Sequence, residues 1–163
     1  MYTSPSFERK LCNSDSSELS KRVAQLPRPL VFTNGCFDVL HRGHVTYLAQ
    51  ARELGASLVV GVNSDASVKR QGKGADRPIN SQQDRMAVLA ALASVSLAVL
   101  FDDDTPLKLI LACHPDVLVK GGDWKPENIV GSSEVKQWGG TIHSIPFLHE
   151  RSTTALLNKI RSL

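Results

Sequence analysis

Cysteine is scarce and scattered: Cys12, Cys36 and Cys113 are the only three in 163 residues. Odd in number, far apart and without a C-x-x-C, they argue against a disulfide framework or a zinc knuckle and for a reducing cytoplasm. No run approaches ~20 apolar residues, so no membrane span is expected. The opening MYTSPSFERKLCNSDSS has no apolar h-region and does not read as a secretory signal. A dense basic stripe is missing too, which speaks against a nucleic-acid partner. No G-x-G-x-x-G follows the first strand, which disfavours a dinucleotide-dependent dehydrogenase. Neither an internal repeat nor a linker divides the chain. What remains is ordinary for a globule with a buried core: 42% hydrophobic and 21% charged residues. Nineteen Lys and Arg against 16 Asp and Glu leave a formal charge of +3, which suits an anionic ligand such as a nucleotide or sugar phosphate.

Residues 1–17 are polar and Ser-rich and read as a poorly ordered tail. In SSELSKRVAQL (16–26), Leu19, Val23 and Leu26 fall at helical spacing, and Pro27 and Pro29 end that short helix. This N-terminal piece, 1–29, precedes a single domain over 30–163. There, LVFTN (30–34), SLVVGV (57–62), SLAVLF (96–101), DVLVKGG (116–122) and GTIHSI (140–145) read as five buried strands. Helices alternate with them. GHVTYLAQARELG (43–55) carries Val45, Leu48, Ala49, Arg52 and Leu54 and closes on Gly55 as a C-terminal cap. SQQDRMAVLAALA (81–93) starts on Ser81 as N-cap and carries Met86, Leu89, Ala90 and Leu92. TPLKLILACH (105–114) opens on Thr-Pro, and STTALLNKIRSL (152–163) closes the chain. The alternation predicts an α/β fold, a Rossmann-like, doubly wound, five-stranded parallel sheet. Ligands of such sheets bind beyond the carboxyl ends of the strands, where strand order reverses.

The unusual residues cluster at those ends. After the first strand comes Thr33-Asn34-Gly35-Cys36-Phe37-Asp38-Val39-Leu40-His41-Arg42-Gly43-His44. The i, i+3 spacing turns His41 and His44 to one side of a first helical turn, beside open backbone amides and the positive end of the helix dipole. Gly43 removes the side chain that would hold a phosphate off that backbone. Two donors, amides and a dipole suit a polyphosphate under attack. With 5 His and 11 Gly available, H-x-G-H is expected roughly 0.01 times by chance. No third ligand recurs at a metal-like spacing. Val62-Asn63-Ser64-Asp65 and then Lys69, Arg70, Lys73 and Arg77 follow the second strand, either as a solvated basic loop or as phosphate contacts. Lys73, between Gly72 and Gly74, is the candidate for a mobile lysine closing over a triphosphate. Arg85 either contributes or is an exposed helical arginine. Lys120-Gly121-Gly122-Asp123-Trp124 ends the fourth strand: Lys120 can meet a substrate phosphate, Asp123 sugar hydroxyls or Mg²⁺, and Trp124 reads equally as core. Ser152-Thr153-Thr154 opens the last helix with hydroxyls and amides that suit an anion or a plain cap. His114, His143 and His149 read as structural or surface residues, and Asp102-Asp103-Asp104 as a charged helix flank. Nothing marks Cys36 as a nucleophile.

From about Leu30 onward the chain resembles the nucleotidyltransferases with an H-x-G-H signature, which share their site design with class I aminoacyl-tRNA synthetases. TNGCFDVLHRGH, GVNSDASVKRQGKGADRPIN, VLVKGGDW and RSTTALLNKI are most similar to the D-glycero-β-D-manno-heptose 1-phosphate adenylyltransferases. Glycerol-3-phosphate cytidylyltransferases are similar in the first and last blocks, and the length excludes a synthetase. The resemblance implies transfer of AMP from ATP to heptose 1-phosphate, with release of pyrophosphate and no covalent enzyme intermediate. It implies His41, His44 and Lys73 as catalytic residues. For the nucleotide it implies Asn34, Gly35, Cys36, Phe37, Gly43, Asn63, Asp65, Ser152, Thr153 and Thr154 alongside them, and for the sugar phosphate Asp38, Lys120, Gly121 and Asp123. Mg²⁺ is expected to arrive with ATP. No protein-held metal, nucleic acid or membrane enters. Arg151 sits where the resemblance fixes no residue type. A separate sugar kinase is implied as the supplier of heptose 1-phosphate, and homo-oligomer formation is left open. A cytidylyltransferase acting on a polyol phosphate and a non-catalytic nucleotide-binding module are the alternatives.

Overall fold

The computed structural model describes residues 5–72, 76–149 and 153–163. Its strands are β1 (Leu11–Asn13), β2 (Leu30–Gly35), β3 (Ser57–Asn63), β4 (Leu97–Phe101), β5 (Val117–Gly121) and β6 (Thr141–Ile145). All pair in parallel, in the order β1-β4-β3-β2-β5-β6. The five expected strands are therefore present, and a sixth is added. The segment read as a poorly ordered tail supplies it: Leu11, Cys12 and Asn13 pair with Ala98, Val99 and Leu100.

Helices α1 (Leu19–Ala24), α2 (Arg42–Glu53), α3 (Asp65–Arg70), α4 (Gln82–Ala91), α5 (Leu107–Cys113), α6 (Ser132–Gln137) and α7 (Thr153–Arg161) connect and close the sheet. Alternation along each strand divides the core in two. On one face Phe32, Val59, Val99 and Leu118 meet Leu19 and Val23 of α1, Leu109 and Ile110 of α5, and Val135 of α6. On the other, Val31, Val60, Val62 and Val119 meet Tyr47, Leu48 and Ala51 of α2 and Met86, Leu89 and Ala90 of α4. Helices on both faces make the sheet doubly wound. No helix among the described residues is long and apolar enough to cross a membrane.

Several local expectations shift. On α2 the buried face is Gly43, Tyr47, Leu48 and Ala51, so Val45 and Leu54 face solvent. Gly55 does not cap that helix in a left-handed conformation. It lets the chain pass the Pro29 carbonyl oxygen, which a Cβ would approach to 2.4 Å. Ser81 caps α4 as expected, its hydroxyl accepting from the Asp84 amide at 3.2 Å. For α5 the N-cap is Pro106 rather than Thr105, and no side chain caps it.

Candidate active site

β2 pairs with β3 over six residues but with β5 only at Val31↔Val117 and Phe32↔Leu118. Chain order reverses between β2 and β5, so their carboxyl ends separate at the switch point where ligands of such sheets bind. Asn34 and Lys120 face each other there, Lys120 Nζ donating to Asn34 Oδ1 at 3.3 Å. A cleft of ≈ 250 Å³ opens beside them, walled by the Gly35–Asp38 loop, His44, Tyr47, Arg77, Phe147 and Thr153. A smaller hollow of ≈ 130 Å³ shares Asn34 and Lys120 and continues to Pro106, Trp124, Ile129 and Val130. Roomier hollows of ≈ 520 and ≈ 490 Å³ lie along the β1 edge, but their walls contain none of the signature residues. Size does not mark the site; the chemistry at the strand ends does.

His41 is the N-cap of α2, with extended backbone, and His44 lies in its first turn. Their rings stack with centroids 3.9 Å apart, and Phe37 meets His44 edge-on at 5.4 Å. Burial, reinforced by the neighbouring His41 and opposed by the backbone of Val39, lowers the His44 pKa to about 4. At neutral pH His44 is therefore a neutral imidazole, able to donate one N–H. Gly43 also makes room for its neighbour. A Cβ there would meet the His41 ring at 3.0 Å and the His149 carbonyl oxygen at 3.4 Å, so the glycine gives the His41 imidazole its seat.

The signature loop carries strain. Phe37 has φ 47°, a left-handed conformation that costs a bulky residue ~1–3 kcal/mol. Arg85 braces it. Its guanidinium, 2% exposed, donates to the carbonyls of Cys36 at 2.5 Å, Asn63 at 2.7 Å and Asn80 at 3.2 Å, and to Asp65 Oδ1 at 2.8 Å. The exposed-helix reading of Arg85 is thus replaced by a buried cross-brace.

The structure separates the remaining expected site residues. Asn34, Gly35, Cys36, Phe37, Asp38, His44, Lys120, Gly121 and Thr153 line the cleft. Asp38, expected against the sugar phosphate, lines the cleft with its carboxylate engaged by protein donors: it accepts from Arg77 Nε at 2.5 Å, Ile79 N at 2.8 Å and Asn80 N at 2.9 Å. Asn63 and Asp65, expected at the nucleotide, are engaged internally, Asn63 Nδ2 with Ser67 Oγ at 3.0 Å and Asp65 with Arg85. Thr153 Oγ1 donates to the Val39 carbonyl at 3.4 Å, which ties α7 to the signature loop, whereas Thr154 faces solvent. Asp123 is exposed and lines neither hollow. Trp124 is not core: 49% exposed, it walls the smaller hollow. Lys73, Arg151 and Ser152 lie outside the described residues. Arg70 pairs with Asp104 at 2.7 Å, and Lys108 with Asp103 at 2.6 Å, so the aspartate run is a salt-bridged flank. His114 stacks on Trp138 at 4.1 Å.

Two cleft residues, Tyr47 and Phe147, escaped the sequence reading of the pocket. Tyr47 sits one turn after His44 and bonds Thr33, burial pushing its phenol up. Its i, i+3 relation to His44 was a usable signal. Of the basic run's described candidates for phosphate contact, Arg77 is the one that lines the cleft. Phe147 follows β6, and only the fold brings it to Tyr47, 5.7 Å away ring to ring.

A parallel sheet with a stacked histidine pair at its switch point defines a nucleotidyltransferase, and the cytidylyltransferase-like family model matches residues 32–159. The chain belongs to that family. It is 55% identical to a D-beta-D-heptose 1-phosphate adenylyltransferase of Bordetella bronchiseptica over 159 residues, 98% of each chain. A bifunctional protein HldE of Geotalea uraniireducens is 48% identical over 162 residues, 99% of this chain; the chain spans 33% of that relative's length. Among solved structures, a lipopolysaccharide core biosynthesis protein of Thermoplasma volcanium superposes with a TM-score of 0.61 at 30% identity, covering 75% of this chain and 98% of that one.

Proposed function

We propose that this enzyme transfers AMP from ATP to D-glycero-β-D-manno-heptose 1-phosphate, giving ADP-heptose and pyrophosphate. The observation that carries the transferase reading is His44, stacked on His41, lining the same cleft as Lys120 and Arg77. The near full-length likeness to the Bordetella protein supports the choice of sugar.

A phosphate oxygen of the acceptor attacks the α-phosphorus of ATP. One P–O bond forms to the sugar phosphate as the bond between the α-phosphorus and its bridging oxygen breaks, and pyrophosphate leaves with that electron pair. The acceptor is already ionised near neutral pH, so no general base is required. The protein's task is to position the partners and to neutralise charge on the equatorial oxygens. Neutral His44 and its stacked partner His41 act as hydrogen-bond donors, and Lys120 supplies fixed positive charge. Lys73 and Ser152 join them on the strength of the resemblance. Mg²⁺ finds no protein cage among the described residues: no three His, Cys, Asp or Glu side chains come together there, and Asp38 is spent on N–H donors. Phosphate oxygens suit that cation, so it enters on the nucleotide. A sugar kinase supplies the acceptor, and the reaction belongs to the cytoplasm.

Pyrophosphate release is the direct test, with ATP or CTP crossed against heptose 1-phosphate or glycerol 3-phosphate. ATP with heptose 1-phosphate is expected to exceed every other pair at least ~10-fold in kcat/KM. A preference for CTP with glycerol 3-phosphate would replace the reading with that of a cytidylyltransferase, and binding without release would make the chain a non-catalytic module.

A further inference from the structure

Arg77 is the cation in the cleft for which the transfer, as derived so far, has no use. It ends the basic run, and its side chain is only 11% exposed. Asp38, whose side chain is 0% exposed, holds it through Nε at 2.5 Å. The same carboxylate accepts the Ile79 and Asn80 amides, and Asn80 Nδ2 returns a bond to the Asp38 carbonyl at 2.5 Å. Residues 77–80 are thus stapled to the signature loop from both sides. Asp76, one residue earlier, pairs with Arg161 of α7.

This staple fixes the plane of the guanidinium while using one of its five N–H donors. The terminal nitrogens make no hydrogen bond among the described residues, and Arg77 walls the ≈ 250 Å³ cleft. A held arginine with open donors matches a phosphate bidentately, where a lysine offers only a point charge. The two hollows differ in character. The smaller one is walled largely by the apolar side chains of Pro106, Trp124, Ile129 and Val130 and suits the flat face of a base; Arg77 is absent from it. The larger holds Arg77, Lys120 and His44 and fits an anion. Lys120, common to both, stands between donor and acceptor.

We infer that Arg77 binds the non-attacking phosphate oxygens of the acceptor, and that Asp38 is a positioning residue that aims it. This rests on the transfer proposed above and assigns its acceptor subsite. The acceptor class is a phosphomonoester dianion; a sugar bearing no phosphate is not recognised there.

The test is steady-state kinetics on the full chain with ATP and heptose 1-phosphate, together with equilibrium ATP binding and thermal melts. Arg77→Met is expected to raise the KM for the sugar phosphate at least ~30-fold and to change ATP affinity less than ~3-fold. Arg77→Lys is expected to recover part of that loss, because charge returns without the fork. Asp38→Asn is expected to raise the same KM while ATP binding holds. If Arg77→Met fails to fold, Arg77→Lys still reads the KM shift. An unchanged acceptor KM, or an equal loss of ATP affinity, overturns the assignment while leaving the transferase intact. Absence of turnover by the wild-type chain overturns the transferase reading and this inference with it.

Discussion

His44 shows how packing sets the protonation state of a single side chain. Stacked on His41 and partly buried, its imidazole is held at about 4 rather than 6.5. Between those two pH values the unfolded chain binds a proton that the folded chain refuses. The stability associated with this group is therefore complete above pH 6.5 and declines as pH falls toward 4. Melts of wild type and His44→Gln between pH 7 and 4 are expected to converge on the acid side, the variant losing less; parallel curves would contradict the assigned state. Activity responds separately. His44→Ala is expected to lower kcat at least ~10²-fold, the scale of losing one preorganised donor, with circular dichroism unchanged. Sequence spacing brought His41 and His44 to one side of a turn. The ring stack and the neutral state follow from Phe37 and from the space left at Gly43, which no spacing encodes.

The connections between elements carry loads that their sequence does not advertise. Arg85 joins α4 to the ends of β2 and β3 and to the start of α3. Arg85→Met would leave Asp65 unpaired and buried carbonyls without a donor. A loss of about 3 kcal/mol or more is expected in urea unfolding. The junction after α2 is similarly tight. Gly55→Ala drives a Cβ against the Pro29 carbonyl oxygen and the Val31 side chain, so ~1–3 kcal/mol of destabilisation is expected by the same measurement. Strands β2 to β6 were legible because short runs rich in apolar and β-branched residues, five to seven long, stand between turn residues. Helices α3 and α6 were not, because each carries a single large apolar side chain, Val68 or Val135, and periodicity has nothing to repeat.

Across the whole molecule, the sheet has an edge that the N-terminal segment completes. β1 covers the outer side of β4, and Leu19 and Val23 of α1 seal Leu97, Val99 and Phe101 beneath it. Deleting residues 1–26 is expected to lower the melting temperature by at least ~10 °C and to promote association through the bared β4 edge. A dispensable tail would leave the melt unchanged, as light scattering and calorimetry would show. The opposite edge needs no such cover, since β6 is short and carries exposed and half-buried residues.

The chain's own pattern determined the parallel α/β architecture, the side of the sheet on which ligands bind and the histidine pair, because each depends on local periodicity and on residues within one crossover. Tertiary structure decided which charges remain for a ligand. Asp38, Asp65 and Arg85 share the sequence character of binding residues, yet each is engaged by a protein partner far along the chain, 39, 20 and 49 positions away respectively. Arg77 and Lys120 keep their place at the cleft because the separation of β2 from β5 opens a void that no side chain among the described residues fills. Pairings across such distances are fixed by the competition among buried donors and acceptors for partners, and that competition is settled only once the strands are in register.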